Sequence, residues 1–383
     1  MNYDNLPNNI YYDANIVNND QEDKDNPPQL VFQDIRSTPI ITFPELYELS
    51  VVRFNLETAH SLPIWIPAID LRNGYTDRTT YSFTLNYIYD GQTYTSEQRF
   101  VHYIPNDFSL PTPQPKTNED VYNTPYYYVK SFGAIVEMFN NCLLHAFNRL
   151  QINANYLGVQ LPTTNPPFFE WDSESSKFIL NGDVIGFDGK QINHIEIYCN
   201  TALYNLMSGF QADYYGQKVT EGKNYKFKLI KETRGLNLFI INDNQYSVIQ
   251  LYQEYSSASL FTPISSIVFT TSLIPVLPSN SSKPTIFNGR GSLVNSGNNN
   301  NITSMITDFE SQENNGYGFC GTLSYIPTAE YRFISLNQGS NHQINNIDLI
   351  VYWKDNYSNL HPVYLYSGMS CNIKILFRKI KNI

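Results

Sequence analysis

The chain has 383 residues, 42% of them hydrophobic, which excludes global disorder; its formal net charge of −10 excludes a broad electrostatic grip on nucleic acid or anionic lipid. Charged residues make up only 16%, against 30 Tyr and 23 Phe, a composition suited to half-buried sheet surfaces and to burial against neighbouring molecules. The length allows two domains or one large β domain.

Residues 1–25 are polar and acidic, without the basic-then-apolar order of a secretory signal. Across 1–40 no period is sustained. Apolar beads at Ile10-Tyr11-Tyr12 and Leu30-Val31-Phe32 flank Pro27-Pro28, and the segment reads as an extended N-terminal arm docked by those beads. From 41 to 110 the pattern is β. Val52, Phe54 and Leu56 share one face; over 81–89, Tyr81, Phe83, Leu85, Tyr87 and Tyr89 face one way and Ser82, Thr84 and Asn86 the other. Asp90-Gly91 tolerates the positive φ of a tight reversal and leads into a further strand over 97–104.

Pro105, Pro111, Pro113 and Pro115 then interrupt the pattern, since proline neither donates to a sheet ladder nor permits helix in its predecessor. Beyond them Phe132, Ile135, Val136, Phe139, Leu143, Phe147 and Leu150 fall on one helical stripe, with Ser131 as N-cap. Leu203, Leu206, Met207 and Phe210 predict a second, shorter helix after Asn200. Strand-like runs at 177–180, 194–198, 225–230 and 238–241 make 111–262 an α+β domain of its own. From 263 to 383 the chain is β again, with strands predicted at 267–271, 331–336, 347–353 and 372–380 around an Asn-rich loop at 295–301.

A β start, an α+β middle and a β end are the trace of an inserted domain. The two flanks sum to roughly 190 residues, the size of one β-sandwich, and supply about eight strands, the number of a jelly roll. The predicted fold is therefore mainly β: a single eight-stranded jelly roll (41–110 and 263–383), an inserted α+β domain (111–262) and an extended N-terminal arm (1–40). The opening and closing strands of a jelly roll pair, so 51–56 is predicted to run antiparallel to 372–379. Val52, Phe54 and Leu56 would then share the inward face with Ile373, Ile375 and Phe377.

Chemistry is quiet along the chain. The six histidines (His60, His102, His145, His194, His342, His361) sit in unrelated contexts, and no GxSxG elbow surrounds a serine. Cys142, Cys199, Cys320 and Cys371 are scattered, without zinc spacing, and read as reduced core residues. Asp172 with Glu174, and Asp308 with Glu310, have the spacing of a strand-borne carboxylate pair, a pattern common on solvated strands. Asn288-Gly289-Arg290-Gly291 lacks the GK[ST] of a phosphate loop. The basic run from Lys374 to Lys381 reads as a solvated strand end, and no apolar run approaches the roughly 18 residues of a membrane span. No catalytic, cofactor-binding or metal-binding residue is assigned, and no cofactor is expected.

Several stretches carry a family resemblance, in the same order over most of the chain. They are Pro27-Pro28-Gln29-Leu30-Val31-Phe32 with Arg36-Ser37-Thr38-Pro39-Ile40; Leu49-Ser50-Val51-Val52-Arg53-Phe54 with Leu62-Pro63-Ile64-Trp65-Ile66-Pro67; and Ser266-Ile267-Val268-Phe269-Thr270-Thr271. Ile347-Asp348, Trp353-Lys354-Asp355 and Lys374-Ile375-Leu376-Phe377-Arg378-Lys379 complete the set. Together they resemble the penton, or minor capsid, proteins of virophages and of polinton-like and adintovirus elements. The resemblance implies a homopentamer at the fivefold vertices of an icosahedral virion, beside a double-jelly-roll major capsid protein, and no enzymatic activity. It implies localisation to the virion, assembled in the host cytoplasm. A host or helper-virus surface ligand on the inserted domain is a further expected partner. The alternative is a carbohydrate-binding or glycan-processing β-sandwich.

Overall fold

Alternating segments from opposite ends of the sequence meet in one sheet of the computed structural model. It describes residues 6–19, 28–57, 62–70, 72, 74–105, 127–231, 237–241, 244–276, 285–287, 293–295, 304–310, 322–325, 332–336 and 343–380. Strands are numbered β1–β22 and helices α1–α3 in chain order. The chain divides into two compact units: unit 1 from Met1–Pro63 and most of the chain after Pro263, unit 2 from Ile64–Thr262.

Unit 1 consists of two sheets. The first runs in the order β1 (Asn9–Val17), β22 (Ser370–Lys379), β3 (Tyr47–Glu57), β18 (Thr322–Tyr325), with β19 (Ile334–Ser335) also on β3. The second is ordered β16 (Leu293–Asn295), β15 (Thr285–Phe287), β21 (Asn359–Pro362), β20 (Asn346–Asp355), β14 (Ile264–Thr271), β17 (Ser304–Glu310), with β2 (Val31–Ile35) also on β20. Aromatic rings from the two inner faces interdigitate. Phe54 of β3 lies 5.2 Å from Phe269 of β14 and 5.3 Å from Phe309 of β17, centroid to centroid. The unit is a β-sandwich.

β3 and β22 pair antiparallel, with one departure from the predicted register. Phe54 stands opposite Ile373, but a bulge follows, so that Val51 and not Val52 faces Ile375, and Leu49 faces Phe377. The inward set is thus Leu49, Val51, Phe54 and Leu56, all buried. One inserted residue shifts the side-chain phase, which lets two out-of-step halves of a strand serve the same core.

The expected arm needs correction at two places. Residues 9–17 are β1, paired with β22 from Asn9 opposite Arg378 to Val17 opposite Ser370, and residues 31–35 are β2, paired with β20. Tyr12 and Ala14 are buried. With five and seven strands among the described residues, the sandwich also exceeds the predicted eight: β15, β16, β17, β18 and β21 were not predicted, whereas β19 falls within the strand predicted at 331–336.

In unit 2 the larger sheet is ordered β10 (Ala212–Tyr214), β11 (Tyr225–Phe227), β9 (His194–Cys199), β4 (Arg78–Tyr89), β5 (Gln92–Thr95), with β6 (Arg99–His102) also on β4. The smaller runs β12 (Asn237–Ile241), β13 (Asn244–Tyr252), β8 (Lys177–Asp183), β7 (Phe168–Asp172). Helix α1 (Phe132–Tyr156) packs against β4, β5, β6 and β7. Ser131 caps it, its hydroxyl accepting from the Ala134 N–H at 3.2 Å. The predicted stripe is buried except for Val136, which is partly buried; Phe139 sits among Trp65, Phe83 and Phe169 at about 6 Å between ring centroids. Two short helices follow, α2 (Val184–Phe187) and α3 (Thr201–Leu206), the latter capped by the Asn200 side chain and ending before Met207 and Phe210.

Strands β4 to β6 were expected in the jelly roll (41–110) and fall instead in unit 2. Six residues of β4 pair with β9, and Phe83 and Leu85 bury into the core beneath α1. A period of two identifies a strand but not its sheet. The opposite face of β4 is covered too: Ser82, Thr84 and Asn86 are buried, with the Thr84 hydroxyl donating to the Glu221 carbonyl and Gln98 Nε2 donating to Ser82 Oγ at 2.8 Å.

Candidate functional site

The residue types weighed for chemistry do not converge on a catalytic constellation. His194 Nδ1 lies 2.7 Å from the Gln191 carbonyl, and His361 is buried, 3.0 Å from Asp355 and stacked on Trp353. His102 faces Asp77 at 3.2 Å, and His145 is exposed on α1; His60 and His342 lie outside the described residues. Asp172 accepts from the Glu174 N–H and the Ser175 hydroxyl, which closes a turn. Asp308 pairs with Arg332 at 2.9 Å and Lys354 at 3.3 Å. Cys142, Cys199 and Cys371 are buried free thiols, and burial pushes those of Cys142 and Cys371 up to about 12. Cys320 and the segment 288–291 lie outside the described residues. Among the described residues no His, Cys, Asp or Glu cluster could hold a metal, and no helix is long and apolar enough to cross a membrane.

What unit 1 does present, among the described residues, is an open sheet edge. β1 turns Tyr12 and Ala14 inward and leaves Asn9, Tyr11, Asp13, Asn15 and Val17 exposed. It is the edge of its sheet, nine residues long, with β22 on one side and no described strand on the other. Such an edge offers a row of backbone donors and acceptors to another chain. Large apolar side chains stand exposed nearby in sequence: Tyr11 at 58% on β1, and Val31 and Ile35 on β2, the latter at 69%.

A polar clasp ties these two strands together. The Tyr12 hydroxyl donates to Asp34, whose carboxylate also receives Arg36 Nε at 2.7 Å, and the Tyr12 ring meets Phe32 edge-on at 5.9 Å. Burial, then the neighbouring Asp34, pushes the Tyr12 phenol up to about 12. The Tyr12 and Arg36 hydrogen bonds hold Asp34 below the usual carboxylate range. Since β1 belongs to the first sheet and β2 to the second, the clasp stitches both sheets at the N-terminal strands.

Lys374 and Arg378 of the C-terminal basic run are engaged within the unit. Lys374 Nζ lies 3.3 Å from Asp13, Arg53 is 3.8 Å from the same carboxylate, and Arg378 Nε is 2.7 Å from Glu48 with its guanidinium 3.5 Å over Phe333. Exposed pairs of this kind are each worth only about 0–1 kcal/mol, but as a ladder across β1, β22 and β3 they mark one register. The signal for β1 was present in the sequence as Ile10, Tyr12, Ala14 and Ile16, but small Ala14 and the polar residues between hid its apolar face.

The model of one protein family, described as Sputnik minor capsid protein V18/19, matches residues 10–379. The chain belongs to that family. The match begins within β1 and closes at the last residue of β22, so the N-terminal strand is part of the shared fold. Two proteins of Sputnik virophage are similar to it: an uncharacterised protein V18, 34% identical over 38% of this chain and 85% of its own length, and the structural protein V19, 23% identical over 55% and 93%. Among solved structures, a chain of the Sputnik virophage particle determined by electron cryo-microscopy at 3.5 Å superposes with a TM-score of 0.76 at 26% identity, covering 98% of both chains. The mavirus penton protein superposes with a TM-score of 0.58 at 17% identity over 97% of this chain and 99% of its own, a likeness of fold. This minor capsid protein is a structural component of a virion, as the virophage resemblance implied.

Proposed function

We propose that this minor capsid protein is a penton, five copies of which form a ring at the fivefold vertices of an icosahedral shell. Unit 1 is read as a jelly roll of the penton type, enlarged by β1, β2 and several short strands, with unit 2 inserted into it. The observation that carries the reading is the open edge of β1 with Tyr11 and Ile35 exposed, on a fold shared along nearly its whole length with a penton protein. A fivefold ring needs two different surfaces on each copy that meet when the rotation closes. An edge strand with flanking apolar side chains suits one of them, and a double-jelly-roll major capsid protein is the neighbour outside the ring. The role is structural and not enzymatic, and assembly takes place in the host cytoplasm. Unit 2 is the lobe that carries a ligand for a host or helper-virus surface.

Native mass spectrometry of the purified protein should show a pentamer, and imaging of particles should place the chain on the fivefold axis. Tyr11→Asp combined with Ile35→Asp should leave folded monomers, since both side chains are exposed. A trimer in solution, or a threefold position in the particle, overturns the proposal.

A further inference from the structure

Three arginines far apart in sequence line one groove of unit 2. Arg78 comes from β4, Arg99 from β6 and Arg149 from α1, and the groove between the helix and these strands has a volume of about 890 Å³. Among the described residues no carboxylate lines it. In a chain with 25 Lys and Arg against 35 Asp and Glu, three converging guanidinium groups run against the average charge.

Each of these cations also carries a buried donor without a partner among the described residues. Among the described residues, the buried side-chain nitrogens left without a hydrogen-bond partner are Nε of Arg78, Arg99 and Arg149. A buried donor without an acceptor is costly, and native structures keep few of them. Those Nε atoms are closed to solvent, so an acceptor from outside the chain would meet the other nitrogens of the same guanidinium groups, on side chains 37% exposed in Arg99 and 41% in Arg149. Glu97 at the rim holds the terminal nitrogens of both Arg99 and Arg149, but at 3.4 Å each, longer than the 2.7–2.9 Å or so of a good charge-assisted bond. Its own backbone is left-handed, with φ 62°. Arg78 makes no ion pair among the described residues, although its charge acts on the Asp70 carboxylate; its guanidinium lies 3.7 Å over the Phe100 ring.

We propose that this groove binds an anionic saccharide, whose carboxylate or sulfate takes the place of Glu97 between Arg99 and Arg149 and whose charge is shared by Arg78. Around the cations stand the groups a sugar needs. Asn141 and Asn148 supply amides for hydroxyls, and the half-exposed Tyr75 ring at the rim supplies a face for sugar C–H groups. The volume falls in the range of small-molecule sites. A nucleic-acid polymer would need a basic track extending beyond one groove, and the chain's charge of −10 opposes it. The inference rests on the reading of unit 2 as the ligand-bearing lobe.

The test uses the full-length protein and calorimetric titration with a heparin-derived octasaccharide, 3′-sialyllactose, neutral lactose and a single-stranded DNA dodecamer. At least one acidic saccharide should bind, more weakly as salt rises, while lactose and the dodecamer should not. Arg78→Gln and Arg149→Gln should each weaken binding about tenfold, as expected for one charge-assisted hydrogen bond. Glu97→Gln should tighten it several-fold, a gain that misfolding cannot produce. Failure of both acidic saccharides to bind, binding indifferent to the three variants, or equal binding of the dodecamer overturns the proposal. Native mass spectrometry of the same samples separates the two readings: saccharide binding without pentamers removes the vertex assignment alone, and pentamers without saccharide binding remove the groove alone.

Discussion

Unit 1 and unit 2 both bury sheets rich in aromatic residues, but they recruit their strands differently. In the first sheet of unit 1, neighbours come from opposite ends of the chain: Asn372 donates to Asn15 across 357 residues, and Arg378 reaches Glu48 across 330. In unit 2 the core forms around α1 from one continuous stretch, with Phe139 meeting Phe83, Phe169 and Phe178. The difference teaches that unit 1 is specified by long-range register, and unit 2 by side-chain packing against a helix. Register is all-or-none along a strand, because a slip of one residue reverses every side chain. A packed core gives way gradually, according to the volume removed.

The largest effect should come from breaking the register strand from within. Ile375→Lys removes a fully buried side chain of β22, which costs about 2–5 kcal/mol, and places an ammonium in the core besides. Hydrogen exchange should show β1, β3 and β22 losing protection together while α1 keeps its own. Loss of protection confined to the residues next to position 375 would mean that the sheet is not one cooperative register.

Next in size is Phe139→Ala in unit 2. Its ring is completely buried, and truncation should cost about 3–5 kcal/mol. Urea unfolding should show the loss, and adding back volume with Phe139→Leu should recover much of it. A recovery no better than alanine would contradict a core that responds to volume.

Acid provides a third, smaller contrast, at the β14–β20 pair of unit 1. Burial raises the Asp348 carboxyl, but hydrogen bonds from the Ser272 and Thr271 hydroxyls and the backbone N–H groups of Ser272 and Leu273 outweigh it and hold the group below its ordinary 3.8. Asp355, also buried, is lowered in the same sense; burial raises it, and His361 and Asn359 overcome that. A carboxylate depressed in the folded state contributes stability above its unfolded value, and the contribution disappears as pH falls from 3.8 through the lower folded value. Stability measured from neutral pH downward should fall as pH passes below 3.8. Asp348→Asn should cost about 1–3 kcal/mol at neutral pH and flatten the acid limb. An unchanged limb in the variant would remove Asp348 from the account.

Much of unit 2 was legible in the sequence, because its defining signals are local. Ser131 locates the start of α1 and the stripe from Phe132 to Leu150 covers all but its last six residues, and Asp90-Gly91 locates the reversal that follows β4, with positive φ at both residues. The pairing of β3 with β22 was also legible, since both strands alternate. Three things were not. The bulge at Val52 needs knowledge of the partner strand. The sheet to which Tyr81, Phe83 and Leu85 belong depends on β9, more than 100 residues later. The groove depends on Arg78, Arg99 and Arg149, which share no motif and meet only when α1 packs on β4 and β6.

The smallest effect expected is a control for the first. Lys374 neighbours Ile375 but points outward to Asp13, so Lys374→Ile should change stability by less than about 0.5 kcal/mol. If it matched Ile375→Lys in thermal unfolding, the assignment of inward and outward faces on β22 would be wrong.

The position of β22 between β1 and β3 has a consequence for synthesis. Both partners leave the ribosome long before the strand that joins them, and at roughly 5–20 residues per second β1 waits on the order of tens of seconds for β22. During that interval Tyr12 and Ala14 have no sheet to enter, whereas the stretch that builds unit 2 has already emerged whole. The nascent chain therefore carries a finished lobe, a β1 without its partner and a β3 open on its β22 side, and the sandwich closes only once β22 has been made. A stop just ahead of Ser370, by the same order of synthesis, would leave unit 2 intact and both β1 and β3 without their common neighbour.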